Sequence, residues 1–348
     1  MRNICICGGG SLGHTVAGFI AVQNNYNVSV LTSRPEKWEK VLRIYTPDND
    51  VLIADLSIVS NDAAVVIPTA DVVLLCVPGY GIEDVLRQIK PYLNKSQYVG
   101  SIVSSTGFFF QALEILPKNI SLFGFQRVPF IARTIEYGKS AIIKGYKNEL
   151  FLAIENATDY KKHIFTNFIQ ELFKTPIRLL NNHFEASLTN SNPLLHTSRL
   201  FSMWKDWKPG IRYDSCPLFY ADWTIEAAKL YIEMDKEFQV LLSMLPVEPG
   251  SIPNVLNYYE SNDAISLCNK LKTIPAFQGI YSPMLGDDAE GYVPDFNSRF
   301  FTEDFPCSLS YIVRLAHQNR MQIPLIDNIF EWGMEMINNY SKKLNASE

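Results

Sequence analysis

His196 closes the run Asn192-Pro193-Leu194-Leu195-His196. Histidine is the side chain best suited to moving a proton near neutral pH. Asp304 is a carboxylate of the kind that orients an imidazole and stabilises its charged form. Arg299 has the bidentate geometry that holds a substrate carboxylate. A proton donor, an orienting group and a cation are what hydride transfer to a carbonyl or imine carbon requires. Each residue also has a plainer use. A histidine behind Asn-Pro can simply hydrogen-bond at a helix start. Asp304, ahead of Pro306, can be a charge favoured at a helix N-terminus. Arg299 can be a salt-bridge partner, and Asn192 a helix cap or a contact for nicotinamide or substrate. The aromatic set Trp204, Trp207, Tyr213, Phe219, Tyr220 and Trp223 reads as core, or as the lining of a substrate pocket.

Hydride chemistry needs a donor, and the first thirty-four residues supply its binding unit. Asn3 to Cys7 reads as a buried strand and Gly8-Gly9-Gly10-Ser11-Leu12-Gly13 as a turn. Val16 to Val22 reads as a helix and Asn27 to Thr32 as a second strand. Strand, glycine turn, helix, strand is the phosphate-binding unit of a dinucleotide fold. Gly8 permits the tight turn, Gly10 lets the backbone approach a pyrophosphate, and Gly13 lets the helix pack on the sheet. The amides of Ser11 and Leu12 then open a helix whose dipole favours phosphate. The second strand ends in Thr32-Ser33-Arg34, where NAD-binding units usually carry a carboxylate for the ribose. Ser33 and Arg34 suit a 2′-phosphate, so the reading is NADP, with Glu36 as the counterargument that keeps NAD open. His14 reads as helix-start packing. Asp71 to Val77 is a near-continuous apolar run, as in a strand buried on both faces. Its C-terminal end, Val77-Pro78, is expected beside the nicotinamide.

Further strands are expected at Val51 to Ala54, Ala64 to Ile67, Tyr98 to Val103, Ile120 to Gly124, Ser140 to Ile143, Leu150 to Ile154 and Thr175 to Leu180. After residue 180 helical periodicity dominates, over Thr224–Leu242, Leu309–Ala316 and Ile326–Leu344. The fold class is α/β: a Rossmann-type dinucleotide-binding domain followed by a mostly α-helical substrate domain, with the boundaries at residues 1–180 and 181–348 and the second stretch read as an all-helical substrate and catalytic domain.

At 348 residues there is ample chain for two domains. The net charge of −5 gives no basic face for nucleic acid, and no apolar run is long enough for a membrane helix. The apolar N-terminal run is short and broken by glycines, unlike a signal peptide. Six scattered cysteines without a CxxC pair read as reduced thiols of a cytoplasmic protein. Five histidines without an HExxH pattern leave metal unsupported.

With these residues in view, the chain resembles the opine dehydrogenases, the octopine and nopaline dehydrogenase group. The resemblance rests on the glycine turn, Gln126 to Arg133, Asn192-Pro193-Leu194-Leu195-His196, Arg299 to Asp304, and Ile323 to Asp327. It implies reductive condensation of an α-keto acid with an amino acid or amine through an imine. It further implies that His196 is the general acid/base, that Asp304 pairs with it and that Arg299 holds the keto-acid carboxylate. The partners expected are small molecules, with a homodimer possible. The alternatives are an NADP-dependent reductase of a simple 2-keto or hydroxy acid, which needs no amine, and a dinucleotide-binding sensor without turnover.

Overall fold

The computed structural model describes residues 2–287 and 289–344. The chain divides into two compact units, Met1–Thr189 and Asn190–Glu348. Through its first part, unit 1 runs β1 (Arg2–Cys7), α1 (Ser11–Ala21), β2 (Tyr26–Leu31), β3 (Val41–Tyr45), β4 (Val51–Asp55), β5 (Ile58–Ser60), α2 (Ala63–Val66), β6 (Val72–Leu75) and α3 (Ile82–Ile89). It continues through β7 (Tyr98–Ile102), α4 (Phe108–Ile115), β8 (Ser121–Phe125), β9 (Phe130–Glu136), β10 (Ser140–Tyr146), β11 (Leu150–Glu155), α5 (Asp159–Phe173), β12 (Ile177–Leu179) and α6 (His183–Ser187).

The main sheet has eight strands in the order β12-β11-β8-β7-β6-β1-β2-β5. Strands β5 to β8 in that order are parallel. β11 runs antiparallel to β8 and carries β12 parallel to itself. Successive side chains of a strand point to opposite faces, and the core follows that rule. Ile4, Ile6, Val72 and Leu74 face α1 and α5. Cys5, Cys7, Val73 and Leu75 face α3 and α4. A second, four-stranded sheet, β4-β3-β10-β9, covers the other side of α1. Gly18 of α1 lies so close to Ile44 of β3 that a Cβ there would meet its side chain. Phe19 packs on Phe130 of β9, ring centroids 4.9 Å apart. Covered on both sides, α1 is buried all round from Gly13 to Ile20.

Two expectations are corrected. Ala64 to Ile67, expected as a strand, forms most of helix α2 and its C-cap. Asp62 caps α2 by accepting from the Ala64 amide at 2.9 Å, and a short apolar run carries no period that tells helix from strand. Val51 to Ala54 does form a strand, β4, in the small sheet. The second unit is mostly helical, as the fold class expects, but not helical throughout: it holds a two-stranded hairpin.

Unit 2 runs α7 (Asn192–Trp204), α8 (Ile225–Met244), α9 (Val255–Tyr258), α10 (Ala264–Thr273), β13 (Met284–Asp287), β14 (Gly291–Pro294), α11 (Arg299–Thr302), α12 (Ser310–Gln318) and α13 (Pro324–Leu344). β13 and β14 form a hairpin that the sequence does not announce, because glycines interrupt any alternation. Gly286 and Gly291 both take positive φ, +122° and +77°. The hairpin is tied to the preceding loop by paired backbone bonds between Tyr213 and Tyr292, 2.9 and 2.8 Å. Glu237 of α8 starts α13, its carboxylate accepting from the Leu325 and Ile326 amides at 3.0 Å each. Unit 1 includes α6 because Glu155 of β11 accepts from the His183 amide at 2.9 Å and Ala186 joins the core. No described helix is long and apolar enough to cross a membrane.

Candidate functional site

In unit 2, α7 opens with Asn192 and Pro193 in its first turn; proline suits that position because its missing N–H has no intrahelical partner there. His196 follows one turn in and is buried. Its ring sits against Phe300 and Phe219, centroids 4.8 and 5.6 Å away. Both ring nitrogens are engaged. Nδ1 is 2.7 Å from Asp304 Oδ2 and Nε2 is 2.8 Å from the Tyr220 hydroxyl. An ionised carboxylate only accepts, so Nδ1 carries the hydrogen; Nε2 of the neutral ring then accepts from the Tyr220 O–H. Asp304 is delivered by a local irregularity. Directly after α11 the chain passes through a π-helical stretch, Phe305–Leu309, and the Asp304 carbonyl accepts from the Leu309 amide at 2.8 Å.

Arg299, the first residue of α11, is 83% exposed in its side chain. It forms a bidentate pair with Glu303, Nε–Oε1 3.1 Å and Nη2–Oε2 2.9 Å. Asn192 is exposed, and its amide donates to Asn190 Oδ1. The structure therefore joins His196 to Asp304 and leaves Arg299 on the turn just before them, paired to a carboxylate of its own helix.

Tyr220, which the sequence places only in an aromatic set that reads as core or pocket lining, is a direct partner of the imidazole. It is 5% exposed and stacks on Phe277 at 4.0 Å, with Trp223 parallel to it on the same segment. Burial pushes its phenol well above the ordinary range, and Tyr259 and Asp304 add to the shift. Arg199, one turn beyond His196, moors that segment: Nε donates to the Phe219 carbonyl at 3.3 Å and Nη2 to that of Asp222 at 2.7 Å. Burial lowers the Arg199 guanidinium to about 10, so it stays charged near neutral pH. The signals in sequence were an arginine on the apolar face of α7 and a tyrosine in an aromatic run, whose hydroxyl needs a partner once buried.

In unit 1 the glycine turn has the geometry a dinucleotide requires. Gly8 has φ +125°, and a Cβ there would lie 2.6 Å from the Cys76 carbonyl. A Cβ on Gly13 would strike the Gly8 carbonyl, so the helix approaches the turn this closely only with glycine. At Gly10, the N-cap of α1, a Cβ would meet no protein atom within 4 Å, and no side chain caps the helix. The first amides of α1, from Ser11, Leu12 and Gly13, thus lack a side-chain acceptor. The Ser11 hydroxyl is used elsewhere, accepting from the Thr134 amide of β9 at 2.9 Å.

His14 is a fixed clip rather than an acid. The Gly138 amide donates to its Nε2 at 2.7 Å, so Nδ1–H donates to the Gly10 carbonyl at 2.9 Å. Burial lowers its pKa, outweighing the Gly10 bond.

A cavity of about 620 Å³ lies against this turn, and Ser33, Arg34, Val77, Pro78 and Tyr137 are among its lining residues; Glu36 is not. The Arg34 guanidinium lies 4.3 Å over the Tyr137 ring. Burial alone would raise the Tyr137 phenol; bonds to Thr32, Trp38 and Arg34 outweigh it and hold it lower.

Residues 179–337 match the family model described as NAD/NADP octopine/nopaline dehydrogenase, alpha-helical domain. Residues 3–105 match one described as NADP oxidoreductase, coenzyme F420-dependent. The chain is 26% identical over 360 residues to octopine dehydrogenase of Pecten maximus, covering 96% of this chain and 90% of that protein. It is 27% identical over 362 residues to tauropine dehydrogenase of Arabella iricolor, covering 96% and 91%. Octopine dehydrogenase in complex with NADH and agmatine superposes with a TM-score of 0.83 at 25% identity, covering 97% of this chain and 90% of that one. Yersinopine dehydrogenase with NADP+ bound shares the fold at 12% identity, with a TM-score of 0.74 over 99% and 93% of the two chains.

Proposed function

We propose that the chain is a member of the opine dehydrogenase family and condenses an α-keto acid with an amino acid or amine and reduces the resulting imine with NADPH. The observation that carries this reading is the His196–Asp304 bond of 2.7 Å in a buried aromatic setting. Residues Gly8, Gly10, Ser11, Leu12 and Gly13 hold the pyrophosphate on the first amides of α1. Ser33 and Arg34 receive the 2′-phosphate, and Val77 and Pro78 lie toward the nicotinamide. The bound nicotinamide supplies the hydride. His196 supplies the proton at nitrogen, and the Asp304 carboxylate keeps the ring in one tautomer and stabilises its charged form. Arg299 exchanges Glu303 for the carboxylate of the keto acid, and Asn192 contacts substrate beside it. The six free thiols support a cytoplasmic setting. A homodimer is the assembly we propose, and sedimentation of the purified chain tests it.

The test is NADPH oxidation across a matrix of α-keto acids and amino donors, agmatine included, with mass spectrometry of the products. A secondary amine whose formation requires both substrates is the expected result. Reduction of a keto acid at the same rate without any amine would replace this reading with a simple keto-acid reductase.

Cofactor choice makes a separate prediction. Arg34→Ala is expected to weaken NADPH about tenfold or more, the loss of one charge-assisted phosphate contact, and to leave NADH within about twofold. Fluorescence titration with both cofactors reads this directly. Equal weakening of the two would remove Arg34 from the 2′-phosphate site.

A further inference from the structure

We propose that Tyr220 is the group that hands the proton to the substrate nitrogen, with His196 acting through it. This rests on the acid–base reading above. The geometry gives the reason. His196 has two ring nitrogens, and Asp304 takes Nδ1. Nε2, the nitrogen that would face a substrate, is taken by the Tyr220 hydroxyl at 2.8 Å. For His196 to touch the substrate directly, Tyr220 would have to swing away. It is held against that: its ring is stacked on Phe277, its segment is tied by Arg199 through the carbonyls of Phe219 and Asp222, and Asp222 itself accepts from the Leu218 amide at 2.8 Å.

A hydroxyl both donates and accepts, so Tyr220 serves either state of the ring. Beside neutral His196 it donates to Nε2. Beside the imidazolium it accepts from Nε2–H, which frees its own O–H to point elsewhere.

The step then balances. As hydride reaches the imine carbon, the Tyr220 O–H bond breaks and the substrate N–H forms. The Nε2–H bond breaks and a new O–H forms on Tyr220. His196 ends neutral, Asp304 stays ionised and the phenol never carries charge. Its raised pKa is no obstacle, because no phenolate is formed. The net change is one hydride and one proton added across C=N.

The experiment has a binding arm and a kinetic arm. In the first, ¹⁵N spectra of the His196 ring are recorded in the protein without substrate. Tyr220→Phe is expected to move Nε2 toward the value of an unbonded ring nitrogen and leave Nδ1–H in place; an unmoved Nε2 overturns the proposal. In the second, Tyr220→Phe is expected to lower kcat about a hundredfold, as for loss of a general acid, with KM for the keto acid within about threefold. A single-turnover solvent isotope series is expected to bow in the wild type, for two protons in flight, and to be linear in the variant.

A phenylalanine variant as fast as the wild type would make Tyr220 a displaced plug and overturn the relay alone. A wild type that turns over no substrate pair would overturn the reading beneath it. If Tyr220→Phe does not fold, the wild-type series decides: bowed supports the relay, linear overturns it.

Discussion

His196→Ala is expected to lower kcat by about 10²–10⁴, the range for removing a general acid/base, while NADPH affinity stays within about twofold. The separation follows from where the residues sit. His196 belongs to unit 2, and the glycine turn and Arg34 to unit 1. Alanine keeps the α7 backbone intact, since it is the best helix former. The substitution leaves the Asp304 carboxylate and the Tyr220 hydroxyl without their shared partner. At 13% side-chain exposure for Asp304, that costs about 1–3 kcal/mol of stability. The variant should therefore melt a few degrees lower yet bind cofactor normally. Stopped-flow reduction, fluorescence titration and a melting curve on one preparation separate the three effects. A kcat within tenfold of the wild type would remove His196 from the proton path.

How much of this could be read beforehand differs between the two units. The β1–α1–β2 unit is legible because glycines punctuate it and its strand is short, apolar and terminal. β6 is legible because a strand buried on both faces is apolar at every position. Ala64 to Ile67 reads as a strand because four apolar residues carry no period; the Asp62 cap decides for helix. α5 is less legible. Phe165, Phe168, Ile169, Leu172 and Phe173 recur at helical spacing, but lysines and a histidine in its first turns mask the face. β9 is masked because Phe130, Ile131 and Ala132 are all apolar although only the first and third are buried, so no alternation marks the strand.

In the candidate site, His196 and Asp304 stand 108 positions apart, and no local rule predicts their meeting. It depends on a π-helical stretch, which sequence periodicity does not reveal, and on α11 leading straight into it. Tyr220 was harder still. An aromatic run reads as core whichever way its hydroxyls point, and only packing decides whether a phenol finds a carbonyl or an imidazole. Arg199 shows the same limit: its guanidinium serves backbone carbonyls and a Trp223 face 5.7 Å away, a role that residue type alone does not distinguish from a surface charge.

Asp304→Asn is expected to cost about 10³–10⁴ in kcat, comparable with the same exchange in hydrolase triads, where the aspartate fixes tautomer and charge. The side chain keeps its shape, so α11 and the π-helical stretch should hold. The hydrogen-bond logic does not hold. An asparagine that turns its NH₂ toward Nδ1 makes that nitrogen an acceptor and moves the ring hydrogen to Nε2, where it must donate to the Tyr220 oxygen. One that turns its carbonyl there keeps the tautomer but withdraws the negative charge that stabilises the imidazolium. Either orientation impairs proton delivery. If the two side chains act as one unit, His196→Ala combined with Asp304→Asn should be no slower than His196→Ala alone, because an orienting carboxylate has nothing left to orient. Losses that multiply in the double variant would mean that Asp304 works independently of the imidazole, for instance on the substrate ammonium, and would separate the pair that the 2.7 Å bond suggests.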